Sequence, residues 1–169
     1  MAVVASAEAG LSAIEKGATI VQLRAPGATA RELEREAASL VPKASVPVVV
    51  SSRCDVALAA GAAGVNLPER DISVAEARVL MGQRLVGRSI HSVEAAVAAE
   101  DEGADYVIFG PVWESPSHPD ERPQGVRALA EVARAVNIPV LAIGGVTEDR
   151  VSVCADAGAA GYAAISKFK

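Results

Sequence analysis

Aromatic residues make up only 3% of this 169-residue chain, with a single tryptophan among them. A core therefore has to be assembled from alanine, valine, isoleucine and leucine, small side chains that suit a parallel sheet covered by helices. Cysteine is nearly absent as well. Cys54 and Cys154 stand alone, with no C-x-x-C and no Cys/His spacing, which excludes a structural zinc site and leaves two reduced thiols, as in a cytoplasmic protein. Basic residues are outnumbered by acidic ones, 16 to 21, and a net charge of −5 excludes nucleic acid or an anionic membrane as the main partner. No stretch approaches the roughly 20 apolar residues of a membrane span. Met1 to Ala7 is apolar, but without a basic flank and with Glu8 interrupting it, it does not read as a signal peptide. Any anionic ligand must be held locally, by main-chain amides and a few cations.

The most informative stretch is Val140 to Val146, V-L-A-I-G-G-V, between Asn137-Ile138-Pro139 and the polar turn Thr147-Glu148-Asp149-Arg150. It describes a buried strand that ends in two glycines and then a helix start. An oxyanion can approach the main chain closely at glycine, and amides entering a helix carry partial positive charge. A second apolar strand, Gly161 to Ser166, also ends in small residues. Adjacent strand ends of this kind hold substrate phosphate in parallel α/β barrels. The expected phosphate cup is Gly144 and Gly145 together with the end of that second strand.

Along the chain, strands are expected at Ala2 to Ala5, Thr19 to Leu23, Pro47 to Val50, Ala63 to Leu67, Arg84 to Arg88, Tyr106 to Phe109, Val140 onward and Gly161 onward. Helices alternate with them: from Ala7 to Lys16, from the cap Thr29 to Leu40, from Asp55 to Gly61, from the cap Ser73 to Met81, from the cap Ser92 to Glu102, from Val126 to Val136 and from Asp149 to Ala157. Eight strands and seven helices at a spacing of about 20 residues predict one domain, residues 1–169, folded as a TIM (β/α)8 barrel that lacks or shortens its final helix. The open doubly wound alternative lacks its G-x-G-x-x-G fingerprint. Bare outer faces on strands eight and one would need a partner subunit, hence a homo-oligomer, or mark a shortened chain.

A barrel carries its site at the C-terminal strand ends. Those ends offer Gln22, Arg24, Ser51, Asn66, Ser89, Gly110, Ser115 and Ser117 as binding groups. His91 and His118 are the acid/base candidates, because imidazole titrates near neutrality. Glu114 competes if it is half buried beside Trp113, since burial raises a carboxyl pKa. Asp55 and Glu69 read as surface charges. A magnesium-bound diphosphate wants converging carboxylates, and Asp71 is the single one that qualifies, so no metal site is expected.

Six pieces in order resemble the thiamine phosphate synthase and thiazole tautomerase (TenI) family: Ile20-Val21-Gln22-Leu23-Arg24, Arg53 to Leu58, Gly64-Val65-Asn66-Leu67-Pro68, Gly87-Arg88-Ser89-Ile90-His91-Ser92, Ala104 to Val112 and Ala142-Ile143-Gly144-Gly145-Val146. The resemblance implies a barrel that binds a phosphorylated thiazole, with the phosphate held by the Gly144-Gly145 turn and by the backbone near Ile165 and Ser166. It also implies that synthases carry Asn-Asp where Ser51-Ser52 stand, a lysine near Ala25-Pro26, and a Thr-x-Thr-Lys loop where this chain has Ser115-Pro116-Ser117-His118. Those departures favour the tautomerase branch, which needs no cofactor, although that branch's histidine falls at Pro111. Under this expectation the chain aromatises a carboxythiazole phosphate, with His118, His91 or Glu114 moving the proton. The alternatives are a thiamine phosphate synthase that joins hydroxymethylpyrimidine diphosphate to thiazole phosphate, with Mg2+ on Asp71, and a non-catalytic thiazole- or thiamine-phosphate-binding regulatory protein.

Overall fold

The computed structural model describes residues 1–115, 122–165 and 168. Within these, eight parallel strands run in sequence order: β1 (Ala2–Val4), β2 (Val21–Leu23), β3 (Val48–Ser51), β4 (Gly64–Leu67), β5 (Leu85–Ile90), β6 (Tyr106–Phe109), β7 (Val140–Ala142) and β8 (Gly161–Tyr162). The ring closes through an isolated parallel bridge between Ala2 and Ala164, in which the Val3 amide donates to Ala164 at 2.9 Å. Seven helices fill the crossovers: α1 (Ala7–Glu15), α2 (Ala30–Leu40), α3 (Cys54–Ala59), α4 (Val74–Met81), α5 (Val93–Asp101), α6 (Gly125–Ala135) and α7 (Val151–Asp156). The expected TIM-type barrel is observed, and no helix follows β8 among the described residues. None of these helices is long and apolar enough to cross a membrane.

Local chemistry accounts for the helix starts. Ser6, Thr29, Ser73 and Ser92 each accept from an amide of the first turn, and Thr29–Glu32 and Ser73–Glu76 form reciprocal capping boxes. Helix α2 stops at Leu40, where Pro42 removes a donor and the chain tightens into a 3-10 turn over Val41–Lys43. Several boundaries shift by a residue or two, among them the start of β2 at Val21 and the end of α3 at Ala59, and two of the shifts bear on the site. Strand β5 runs on to Ile90, so Ser89 lies in the strand and not in the loop after it. Helix α7 starts at Val151, after a 3-10 turn over Glu148–Arg150.

Strand alternation separates two apolar layers. Outward residues such as Val21, Leu23, Val50, Val65, Val86, Val107 and Ala142 pack against the helices in the larger cluster. Inward residues form a smaller one, of Met1, Val3, Val49, Tyr106, Ile108 and Ala163, flanked by Leu85, Leu141 and Ile143. Glycine makes room on the inward side, since a Cβ on Gly87 would meet the Tyr106 ring and one on Gly64 the Leu85 carbonyl. That carbonyl belongs to the backbone and cannot rotate away. Gly64→Ala is therefore expected to cost about 2 kcal/mol of stability, in the range of overpacked cores. An unchanged denaturation midpoint in urea would show that β4 and β5 separate freely at this point.

Candidate functional site

The parity that fills the lower barrel with apolar side chains places polar ones above them. Gln22 follows Ile20, Ser51 follows Val49, Asn66 follows Gly64 and Ser89 follows Gly87, each two residues nearer the C-terminal end and so on the same inward face. All four line one cavity of about 460 Å³ that opens at the C-terminal strand ends. The other described residues expected at the site join them: Arg24, Gly110, Glu114, Ser115, Gly144, Gly145, His91 and Ile165. Ser117, His118 and Ser166 lie outside the described residues.

Among the described residues, Asn66 and Gln22 are the two buried polar ones, 1% and 4% exposed. The Asn66 amide donates from Nδ2 to Ser89 Oγ at 3.0 Å. Its Oδ1, shielded from solvent, has no partner among the described residues. Buried polar atoms in native proteins are almost always bonded, so an orphan on a cavity floor points to a ligand.

On one wall, His91 Nδ1 lies 2.8 Å from Glu69 Oε2, and both residues line the cavity. Glu69 is exposed, the surface charge that its sequence context suggests, and it stands at the cavity mouth within reach of His91. Its carboxylate orients the imidazole, and Nε2 is the ring nitrogen left for a ligand. Glu114 also lines the cavity but is exposed, so the half-buried setting expected for an acid/base is missing. Asp55 is the exposed charge it was expected to be, in a bidentate pair with Arg53.

Asp71 is already occupied. Ser52 Oγ donates to its Oδ2 in a short hydrogen bond, and the Ile72 amide donates to its Oδ1 at 2.8 Å. Ser52 reaches it from a left-handed conformation, φ +69°, which few non-glycine residues adopt. No group of three metal-ligating side chains occurs among the described residues. The donor set does not fit a magnesium ion on a diphosphate, because one occupied carboxylate replaces the pair such an ion needs. Neither free thiol is a nucleophile: Cys54 and Cys154 are buried, and burial pushes both thiols up.

The doubled glycine does more than turn the chain. Gly144 (φ +90°) and Gly145 (φ +64°) lie against the segment after β6, where a Cβ would stand 2.6 Å from Pro111 Cα and from the Glu114 carbonyl oxygen, respectively. Two main-chain bonds hold the contact: Val112 N donates to Ile143 O at 2.8 Å and Trp113 N to Gly144 O at 3.0 Å. The expected contribution of a helix N-terminus is not found, because α7 is a six-residue helix set back behind the 3-10 turn. Charge comes from Arg150, which lines the cavity, donates to Gly145 O at 2.7 Å and lies 4.9 Å over the Trp113 ring.

A (β/α)8 barrel with polar groups on its floor and a glycine cup at its mouth is built to bind a small anionic metabolite. A family model described as thiamine monophosphate synthase (TMP-TENI) matches residues 4–168, and the chain belongs to that family. It therefore takes its place among the enzymes of thiamine biosynthesis. A putative thiamine-phosphate synthase 2 of Aquifex aeolicus is 40% identical over 158 residues, spanning 92% of this chain and 85% of that protein. The thiamine-phosphate synthase of Anaeromyxobacter dehalogenans is 46% identical over 159 residues, 91% of this chain and 71% of that one. Among solved structures, thiamine phosphate pyrophosphorylase from Pyrococcus furiosus superposes with a TM-score of 0.88 at 33% identity, covering 98% of this chain and 84% of that one. These names leave the expected preference for the tautomerase branch without support.

Both strain and collision weigh on the cup. Gly144→Ala is expected to destabilise the protein by about 1–3 kcal/mol, the joint cost of a left-handed alanine and of overpacking against Pro111. Chemical denaturation checks it, and a variant as stable as the wild type would show that the two loops are not in fixed contact.

Proposed function

We propose that the chain is a thiamine phosphate synthase: it binds hydroxymethylpyrimidine diphosphate and a thiazole phosphate in the one cavity and joins them with loss of pyrophosphate. The observation that carries this is the unpartnered Asn66 Oδ1 on the cavity floor, beside Ser89 and Gln22. A thiazole phosphate has no ring N–H to give it. An aminopyrimidine presents an N–H donor next to a ring-nitrogen acceptor, which satisfies the Asn66 amide whichever way its oxygen and nitrogen are assigned. The names of the relatives support the same choice.

In this reading the pyrimidine ring lies deep, against Asn66, Ser89 and Gln22. The thiazole ring sits between Ile108 and Ile143, with its phosphate toward Gly144 and Gly145. The thiazole nitrogen forms a bond to the pyrimidine methylene as the methylene–oxygen bond to diphosphate breaks. Pyrophosphate then carries away the electron pair of that bond. The protein's share is orientation of the two substrates and placement of positive charge. Asp71, which accepts from Ser52 Oγ and the Ile72 amide, offers no second carboxylate beside it for a magnesium ion among the described residues. Arg24 is the cation beside the β2 end of the cavity, and no carboxylate is paired with it among the described residues.

A second reading, the thiazole tautomerase, is favoured by two observations. Ser52 occupies the carboxylate that a magnesium site would use, and Glu69 and His91 form a ready acid/base pair. In it His91 Nε2 takes the proton from thiazole C2 and returns one to the exocyclic carbon.

Incubation with both synthase substrates, followed by a coupled assay for released pyrophosphate, tests the first reading. Turnover is expected to depend on the thiazole phosphate. Asn66→Leu is expected to raise KM for the diphosphate at least about tenfold, the equivalent of one lost hydrogen bond to a buried polar group. Absence of pyrophosphate removes the synthase. Aromatisation of the exocyclic carboxythiazole tautomer, lost in His91→Gln, would establish the tautomerase, whereas tight binding without turnover in either assay would leave a binding protein.

A further inference from the structure

The glycine cup by itself is neutral, and the protein around it is acidic. Selective binding of a phosphate ester there needs a fixed cation, and the family's loop lysine has no counterpart in Ser115-Pro116-Ser117-His118. Arg150 stands at the cup. One of its five N–H groups is used on Gly145 O at 2.7 Å. The guanidinium plane is fixed a second time by the Trp113 ring, 4.9 Å from its Cζ. No ion pair is formed by Arg150 among the described residues; the neighbouring Asp149 carboxyl is taken up first by Thr147. The result is a partly buried cation with its orientation set and donors to spare, on the wall of the cavity that also holds Gly144 and Gly145.

We propose that Arg150 is the residue that makes this cavity select phosphorylated over unphosphorylated thiazole: its guanidinium, held by the Gly145 carbonyl and the Trp113 ring, donates its remaining N–H groups to the substrate phosphate. The inference deepens the proposed function and rests on the thiazole phosphate entering this cavity, whichever of the two chemistries follows. It also gives the Trp113 contact a purpose. A guanidinium already pinned on two sides loses little freedom when it binds, and that lowers the entropic cost of capturing a small anion.

Titration calorimetry with hydroxyethylthiazole phosphate and with unphosphorylated hydroxyethylthiazole separates the possibilities. The wild type is expected to prefer the phosphate ester. Arg150→Gln should weaken the ester by about tenfold or more, the scale of a charge-assisted hydrogen bond, and leave the alcohol unchanged. Arg150→Lys, which keeps the charge but not the planar stacking, should retain part of the preference and keep the measurement decisive if the glutamine variant folds poorly. Equal loss for both ligands in the lysine variant would make Arg150 a brace between loops and overturn the proposal. So would unchanged affinity for the ester in Arg150→Gln. Failure of the wild type to bind the ester at all is a different outcome, which overturns the proposed function itself.

Discussion

Contact between two loop backbones at the barrel mouth is the constraint on which the site depends. Gly144 and Gly145 lie so close to Pro111, Trp113 and Glu114 that no side chain fits between them. The hydrogen bonds from Val112 and Trp113 back to Ile143 and Gly144 fix the distance. That contact sets where the cup faces and brings Trp113 under Arg150. It also joins the segment after β6 to the end of β7 along one wall of the cavity. The same segment is tied to the next helix, with Gln124 N donating to Pro111 O and Gly125 N to Val112 O. Both described ends of this connection are thereby anchored to each other.

Much of the fold was legible because the ring repeats one simple pattern. Short apolar runs, capping serines and threonines, and glycine stops recur at a steady spacing, and each helix start with a side-chain cap fell where a cap residue stood. The errors lie where local signals are weak. Strand β5 continues through Arg88-Ser89-Ile90 because neighbouring β6 offers it a full ladder to Phe109, a tertiary fact that the polar character of Ser89 conceals. The start of α7 slipped because the turn after the glycines is wound as a 3-10 segment before the helix proper.

The site was legible to the extent that strand parity is. Gln22, Ser51, Asn66 and Ser89 share the inward face by counting alone, and the structure brings them into one cavity with Arg24 and the glycines. What counting could not supply is pairing between loops. Glu69 and His91 are 22 residues apart and meet only because β4 and β5 are neighbours. Ser52 and Asp71 are 19 apart and meet for the same kind of reason across β3 and β4. Arg150 carried a faint signal as the last residue of the polar turn behind the glycines, but its stacking on Trp113 links segments that the sequence keeps 37 residues apart.

The seam of the ring has a mechanical meaning. Most neighbouring strands share three or four register pairs; among the described residues the closing junction has one bridge, Ala2 to Ala164, with three hydrogen bonds across it, from Met1 N to Tyr162 O, from Val3 N to Ala164 O and from Ala164 N to Met1 O. Closure on the β1 side therefore rests on Met1 and Val3, the residues that make those bonds. Val3, Ala163, Ala164 and Ile165 all border the cavity there. The junction that completes the ring is thus also a wall of the cavity, so whatever loosens the seam reshapes the site.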